Sequence, residues 1–154
     1  MSNNATYQVP IAENEPVLNY APGSPEKAAV KAAIAELKEL NGDVEAFICD
    51  VTDESNIDST FEATITRFGR VDICFANAGG TGPSGMLHQV RMDQSRKHMD
   101  LNLNSVVYTY QKVIAQLLER KAPGKLIVTS SIAGLTGAAY ASAYSTTKTA
   151  VLGL

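Results

Sequence analysis

Tyr144 and Lys148 stand four residues apart in the closing stretch AYSTTKTAVLGL, which has the character of a helix. Residues at i and i+4 share a helical face, so an ammonium comes within reach of a phenol. A free tyrosine titrates near pH 10. A phenol that exchanges protons near neutrality therefore needs about 4 kcal/mol of stabilisation of its anion, part of which a neighbouring cation can supply. Such a group can give a proton to, or take one from, the oxygen of a carbonyl or a secondary alcohol. Ser131, at the end of the preceding apolar run KLIVTSS, offers a hydroxyl that can bond the same oxygen.

Spacing alone does not establish this chemistry. Ser95, Tyr108 and Lys112 repeat the same Ser, Tyr, Lys intervals. Ser95 and Tyr108 fall within one continuous helical pattern, however, which would hold them about 20 Å apart. Ser131 and Tyr144 are joined instead by IAGLTGAAYAS, a small-residue loop that can fold back from a strand end to a helix. Judged by spacing only, Tyr144 and Lys148 read more simply as a surface pair on an amphipathic helix.

The elements that must position these residues follow an alternating order. Residues 1–16 mix Asn, Glu and Pro without periodicity and read as a flexible tail, which leaves 17–154 as the ordered domain. PVLNYA is a short extended run. Ser24 caps a helix opening on Pro25, with Val30, Ala33, Ile34, Leu37 and Leu40 as its apolar stripe and NGD as its end. Val44–Cys49 reads as a strand. Thr52 or Asp53 caps the next helix, whose stripe is Ile57, Phe61 and Ile65 and whose terminator is Gly69. RVDICFA is a strand, NAGGTGPSG a loop, Met92 to Glu119 a long helix broken by KAPG, KLIVTSS a strand, and the last segment a helix with an apolar tail.

Strands that are continuous apolar runs, alternating with helices, predict a doubly wound parallel α/β sheet of Rossmann-like type. Ligands of such sheets bind at the carboxyl ends of the strands. Here the ends at 49–51, 77–80 and 129–131 are polar or glycine-rich, which favours a site over a merely solvated edge.

Bulk properties narrow the partners. The chain has 154 residues, 45% of them hydrophobic, and a net charge of -3. That size suits one domain, and the charge offers no basic footprint for nucleic acid or an anionic membrane. No apolar stretch is long enough to span a bilayer, and the first residues lack the basic and apolar regions of a leader, so a cytoplasmic protein acting on small molecules is expected. Cys49 and Cys74 lie inside apolar runs and are expected as reduced, buried thiols. His88 and His98 sit in a polar stretch without metal-ligand spacing and are expected as solvated side chains.

Several motifs in one order add a resemblance. SSIAG followed by YSTTK, with NAG after one strand and DV after the strand before it, resembles the short-chain dehydrogenase/reductase family from about Val17 to Leu154. The resemblance implies a nicotinamide-dependent oxidoreductase that interconverts a ketone and a secondary alcohol. It implies Tyr144 as acid/base, Ser131 as partner of the substrate oxygen, and Lys148 as the cation that favours the phenolate and holds the nicotinamide ribose. For the family's fourth catalytic residue, an Asn, MDLNLNSVVY offers Asn102 and Asn104, and the family pattern D-x-N-x-x-G selects Asn102. Asp50 and Val51 match the residues that flank the adenine. Asn77, Ala78 and Gly79 match the motif that supports the sheet and lines the cofactor.

Some family features are not found. The opening strand and the glycine-rich turn that receives the pyrophosphate have no counterpart in this sequence, nor has the segment that follows the last helix. In the strand order 3-2-1-4-5-6 the first strand is central, so the sheet is expected to be incomplete. TYQVPI is a poor replacement because Pro10 cannot donate to a central ladder. Val151, Leu152 and Leu154 are expected to lose cover. After the second strand, Asn19, Tyr20 and Ser24 stand where NAD(H) enzymes carry a carboxylate, so NADP(H) is preferred over NAD(H). Family members pair through the helices after the fourth and fifth strands, the mode of homo-oligomer expected here. A second reading is an inactive fragment of such an enzyme, acting at most as an interaction protein.

Overall fold

The computed structural model describes residues 24–40 and 42–154. The tail at 1–16, the run PVLNYA and the expected cofactor residues Asn19 and Tyr20 lie outside the described residues. The chain divides into two compact units between Ala46 and Phe47.

In the first unit, α1 spans Pro25–Glu39. Pro25 fits its first position because a missing N–H costs nothing there. Ser24 Oγ accepts the Lys27 N–H at 3.2 Å, as its residue type predicts.

The second unit begins with α2, Glu54–Phe68, capped by Asp53, whose carboxylate accepts from Ser55 N at 2.8 Å. Gly69 ends it at φ 79°, a left-handed conformation that glycine adopts without a steric penalty. β1, Ile73–Ala76, pairs in parallel with β2, Lys125–Val128, with Ile73 opposite Lys125 and Ala76 opposite Val128. The connection between them is one long helical run: α3, Met92–Met99, a π turn over Asp100–Asn104, and α4, Ser105–Glu119. After β2 come the short α5, Ala133–Thr136, and α6, Ser142–Ala150, which ends in a 3-10 turn.

One face of the sheet is packed and the other is open. Cys74, Ala76, Leu126 and Val128 point to a core built on Val106, Tyr110 and Val151. Ile73, Phe75 and Ile127 point the opposite way and stay exposed. Val106, Val113 and Leu117 are buried along α4, each worth about 1.5–3 kcal/mol relative to exposure.

Several expectations are corrected. Val44–Cys49 forms no strand: the described sheet has two strands, which pair with each other, and a ladder needs a neighbour whatever the β-propensity of its residues. The long helix is interrupted by the π turn, and a turn of helix stands within the expected loop IAGLTGAAYAS. Val151 is buried against α4 and β2, whereas Leu152 and Leu154 are exposed as expected. Cys49 and Cys74 are free but only half-buried. They line one apolar cavity of about 360 Å³ with Ile57, Phe61 and Phe75. Burial pushes the Cys74 thiol up.

Candidate active site

The carboxyl ends of β1 and β2 lie side by side and carry the loops at 77–82 and 129–131. They are tied at their first polar residues, where Thr129 Oγ1 bonds Asn77 Oδ1 at 2.6 Å. α6 delivers Tyr144 and Lys148 to this edge. Lys148 is only 6% exposed, and its ammonium donates to Thr129 O at 2.7 Å. A buried cation needs such a partner, because an unpaired one would carry a desolvation cost of several kcal/mol. The ammonium lies 5.9 Å from the centre of the Tyr144 ring, so the pair expected from the i, i+4 spacing is brought together.

α6 is anchored to the end of β2 and to α5 by hydroxyl-to-carbonyl bonds. Ser130 Oγ donates to Lys148 O at 2.7 Å and Thr149 Oγ1 to Gly134 O at 2.9 Å. Gly134 permits that closeness, since a Cβ there would stand 2.5 Å from Lys148 O. Ser131 is half-buried beside these groups, and its Oγ accepts from Ala133 N at 3.2 Å. It is thus held at the first turn of α5, and no hydrogen bond joins it to Tyr144.

The π turn places Asn102. This side chain is 1% exposed and grips the loop after β1 at both backbone groups of Gly80: its Oδ1 accepts from the N–H, and its Nδ2 donates to the carbonyl, each at 2.9 Å. Gly79 is set against the same amide, where a Cβ would meet Asn102 Oδ1 at 2.9 Å and Lys148 Nζ at 3.6 Å. Of the two candidate asparagines, Asn102 therefore belongs to this cluster. Asn104 is exposed and donates to Asp100 at 2.8 Å.

His98 was missed by sequence reasoning. It is 5% exposed, not solvated, with its Nε2 3.0 Å from Asn102 Nδ2 and its ring 6.0 Å from that of Tyr144. Gly82 makes room for it, since a Cβ there would fall 2.7 Å from the ring. Burial, and after it the Lys148 charge, holds the imidazole below its ordinary value. Its position four residues before Asn102 was the available signal, hidden by the charged residues around it.

Asp50 and Val51 are not brought to Tyr144 by any described contact. Asp50 is exposed and accepts from the Thr52 hydroxyl at 2.7 Å and its N–H at 2.9 Å, bonds that hold its carboxyl below the usual range. Val51 lines a small cavity beside the π turn with Ile57, Ser105 and Tyr108.

The competing triplet has a different fate. Tyr108 donates to Asp58 at 3.1 Å, and Lys112 pairs with the same carboxylate at 2.5 Å. Both therefore clamp α4 to α2, and Ser95 lies beyond the π turn on α3.

The sequence matches the family model described as short chain dehydrogenase over residues 18–154. The chain belongs to the short-chain dehydrogenase family. It is 29% identical over 137 residues to a 3-oxoacyl-[acyl-carrier-protein] reductase of Synechocystis, covering 89% of this chain and 53% of that protein. The crystal structure of levodione reductase superposes with a TM-score of 0.76 at 31% identity, covering 84% of this chain and 50% of that one. A NAD+-bound xylitol dehydrogenase gives 0.75 at 26% identity, with 82% and 48% covered. This family chain thus spans about half the length of the relatives it matches, and its incomplete Rossmann-like sheet is the part of their fold that it shares. No described helix is long and apolar enough to cross a membrane.

Proposed function

We propose that the chain carries the proton-transfer half of a cytoplasmic, NADP(H)-preferring oxidoreductase that interconverts a small ketone and a secondary alcohol. The observation behind this reading is the buried Lys148 ammonium, fixed on Thr129 O at a strand end and facing the Tyr144 ring. Tyr144 gives its phenolic proton to the carbonyl oxygen in reduction and takes it back in oxidation. Lys148, itself buried, stabilises the phenolate left behind. Ser131 steadies the substrate oxygen. Asn102 holds the loop at Gly79 and Gly80, and so acts on the site's shape.

Residues present fit one end of a nicotinamide cofactor. Asn77, Ala78 and Gly79 are exposed at the end of β1, and Gly79 leaves a floor that a Cβ would fill. These residues and Lys148 would hold the nicotinamide ribose. Asp50 and Val51 would meet the adenine, with Asn19 and Tyr20 as the basis of the NADP(H) preference. The bound cofactor supplies the hydride exchanged with the carbonyl carbon. That relatives include a NAD+-bound xylitol dehydrogenase supports a nicotinamide cofactor for this chain. Pairing of copies through the long helices belongs to the same proposal.

The test is NADPH titration followed by turnover with a panel of carbonyl compounds, beside Tyr144→Phe. The variant should bind NADPH as the native chain does and lose at least about 100-fold in kcat. Failure of the native chain to bind NADPH at millimolar concentration overturns the reading. The exposed Ile73, Phe75 and Ile127 favour a second one, an interaction protein without turnover, which that result would leave standing.

A further inference from the structure

The shortest hydrogen bonds around Asn102 favour one assignment. Its Oδ1 is committed to the Gly80 N–H, which can only donate, so the amide cannot be flipped. Nδ2 then has two hydrogens for Gly80 O at 2.9 Å, His98 Nε2 at 3.0 Å and Thr147 Oγ1 at 3.4 Å, and the two short contacts take them. Thr147 uses its own hydrogen on Tyr144 O at 2.9 Å. His98 Nε2 lies 3.0 Å from Asn102 Nδ2 and 3.5 Å from Thr147 Oγ1, and the shorter contact is satisfied when Nε2 accepts, which makes the imidazole neutral with its proton on Nδ1.

We infer that His98 is a positioning residue: its neutral ring keeps the Asn102 amide clamped on Gly80, and a proton on Nε2 releases that clamp and loosens the loop at Gly79 and Gly80. A protonated Nε2 would set two N–H donors against each other at 3.0 Å, with the Thr147 oxygen at 3.5 Å as its one acceptor among the described contacts. The charged groups facing the ring work in the same direction. From α6 it meets the Lys148 ammonium and the Tyr144 phenol, and from the π turn the uncharged Asn102. The loop at 77–85 contains no titratable side chain. On its own helix Arg96 and Lys97 are exposed, and the nearest carboxylate in sequence, Asp100, is exposed and bonded to Asn104. No anion on these elements repays the added charge. The ring already fills the space that a Cβ at Gly82 would take, so it cannot relax by sliding toward that residue.

The consequence for cofactor affinity rests on the proposed function, because it takes Gly79 as part of the nicotinamide floor. The latch itself does not. The chain has two histidines, so His88→Gln leaves a protein with one imidazole to observe. In that protein, NMR titration from about pH 8 to about pH 5 should show the His98 ring and the Gly80 amide moving with one shared inflection, below the ordinary histidine range. A further His98→Gln change keeps a neutral acceptor and should remove the Gly80 inflection. A flat Gly80 signal, or one whose midpoint differs from that of the ring, overturns the inference without any variant at His98. Persistence of the inflection in His98→Gln overturns it as well.

NADPH titration at the two ends of the same range gives the functional arm. The native chain should bind about 3- to 10-fold more weakly at the acid end, the loss of one hydrogen bond, while His98→Gln changes less. Equal weakening in both refutes the link to the floor. If NADPH binds at neither end, the proposed function fails, and the Gly80 titration still decides the latch.

Discussion

Asn102 and Asn104 sit two residues apart in one π turn, and replacing each by alanine should have very unequal effects. Asn102 makes two bonds of 2.9 Å to the Gly80 backbone and one of 3.0 Å to His98, from a position 1% exposed. At about 1 kcal/mol net for each bond, truncation removes about 3 kcal/mol, and the unpaired Gly80 groups offset any gain from relaxation. Asn104 makes one bond to an exposed carboxylate, so Asn104→Ala should cost less than about 0.5 kcal/mol. Urea unfolding followed by far-ultraviolet circular dichroism measures both. Asn102→Ala should also displace the Gly80 amide signal, which Asn104→Ala should leave in place. A difference between the two variants of less than about 1 kcal/mol would refute the claim that the amide, and not the helix alone, holds the loop.

Other outcomes can be checked in the same preparation. The bonds from Lys112 and then Tyr108 hold the Asp58 carboxyl below its usual range, so its stabilisation is complete above the ordinary aspartate value near pH 3.9 and is lost as pH falls through the lower folded value. Acid unfolding of Asp58→Asn should therefore differ from native at pH 5 to 7 and converge with it at about pH 2, while NADPH turnover stays unchanged. Gly82→Ala should lose about 1–3 kcal/mol by driving a methyl into the His98 ring, and His98→Ser in the same chain should recover part of it on thermal melting. Burial raises the Cys74 thiol, so peptide mapping after iodoacetamide treatment near neutral pH should show Cys74 alkylated several-fold more slowly than a free cysteine.

Features fixed by neighbours in sequence were legible before the structure, and features fixed by distant partners were not. Ser24 and Asp53 could be read as caps and Gly69 as a terminator because each acts within one turn of its own helix. The strand predicted at Val44–Cys49 fails for the opposite reason: its apolar run is favourable, but pairing depends on a neighbour that no local pattern supplies. The two Ser, Tyr, Lys triplets are indistinguishable by interval. What separates them is that Asp58, more than fifty residues from Lys112 in sequence, captures one pair, whereas Thr129 O holds the lysine of the other. His98 was misjudged because Arg96, Lys97 and Asp100 make its surroundings look like surface. Helical geometry turns those three outward and the imidazole toward α6.

The π turn over Asp100–Asn104 stores part of the site as chain length. A π turn is equivalent to one residue inserted in an α-helix, and each residue advances an α-helix by about 100°. An uninterrupted α-helix of the same length would keep His98, Asn102, Tyr110 and every other side chain named above, yet would turn α3 by about a quarter of a revolution relative to α4. The imidazole and the core residues of α4 could then no longer face inward together. Grafting this cluster onto another helix would thus require copying the wide turn as well as a set of residue types.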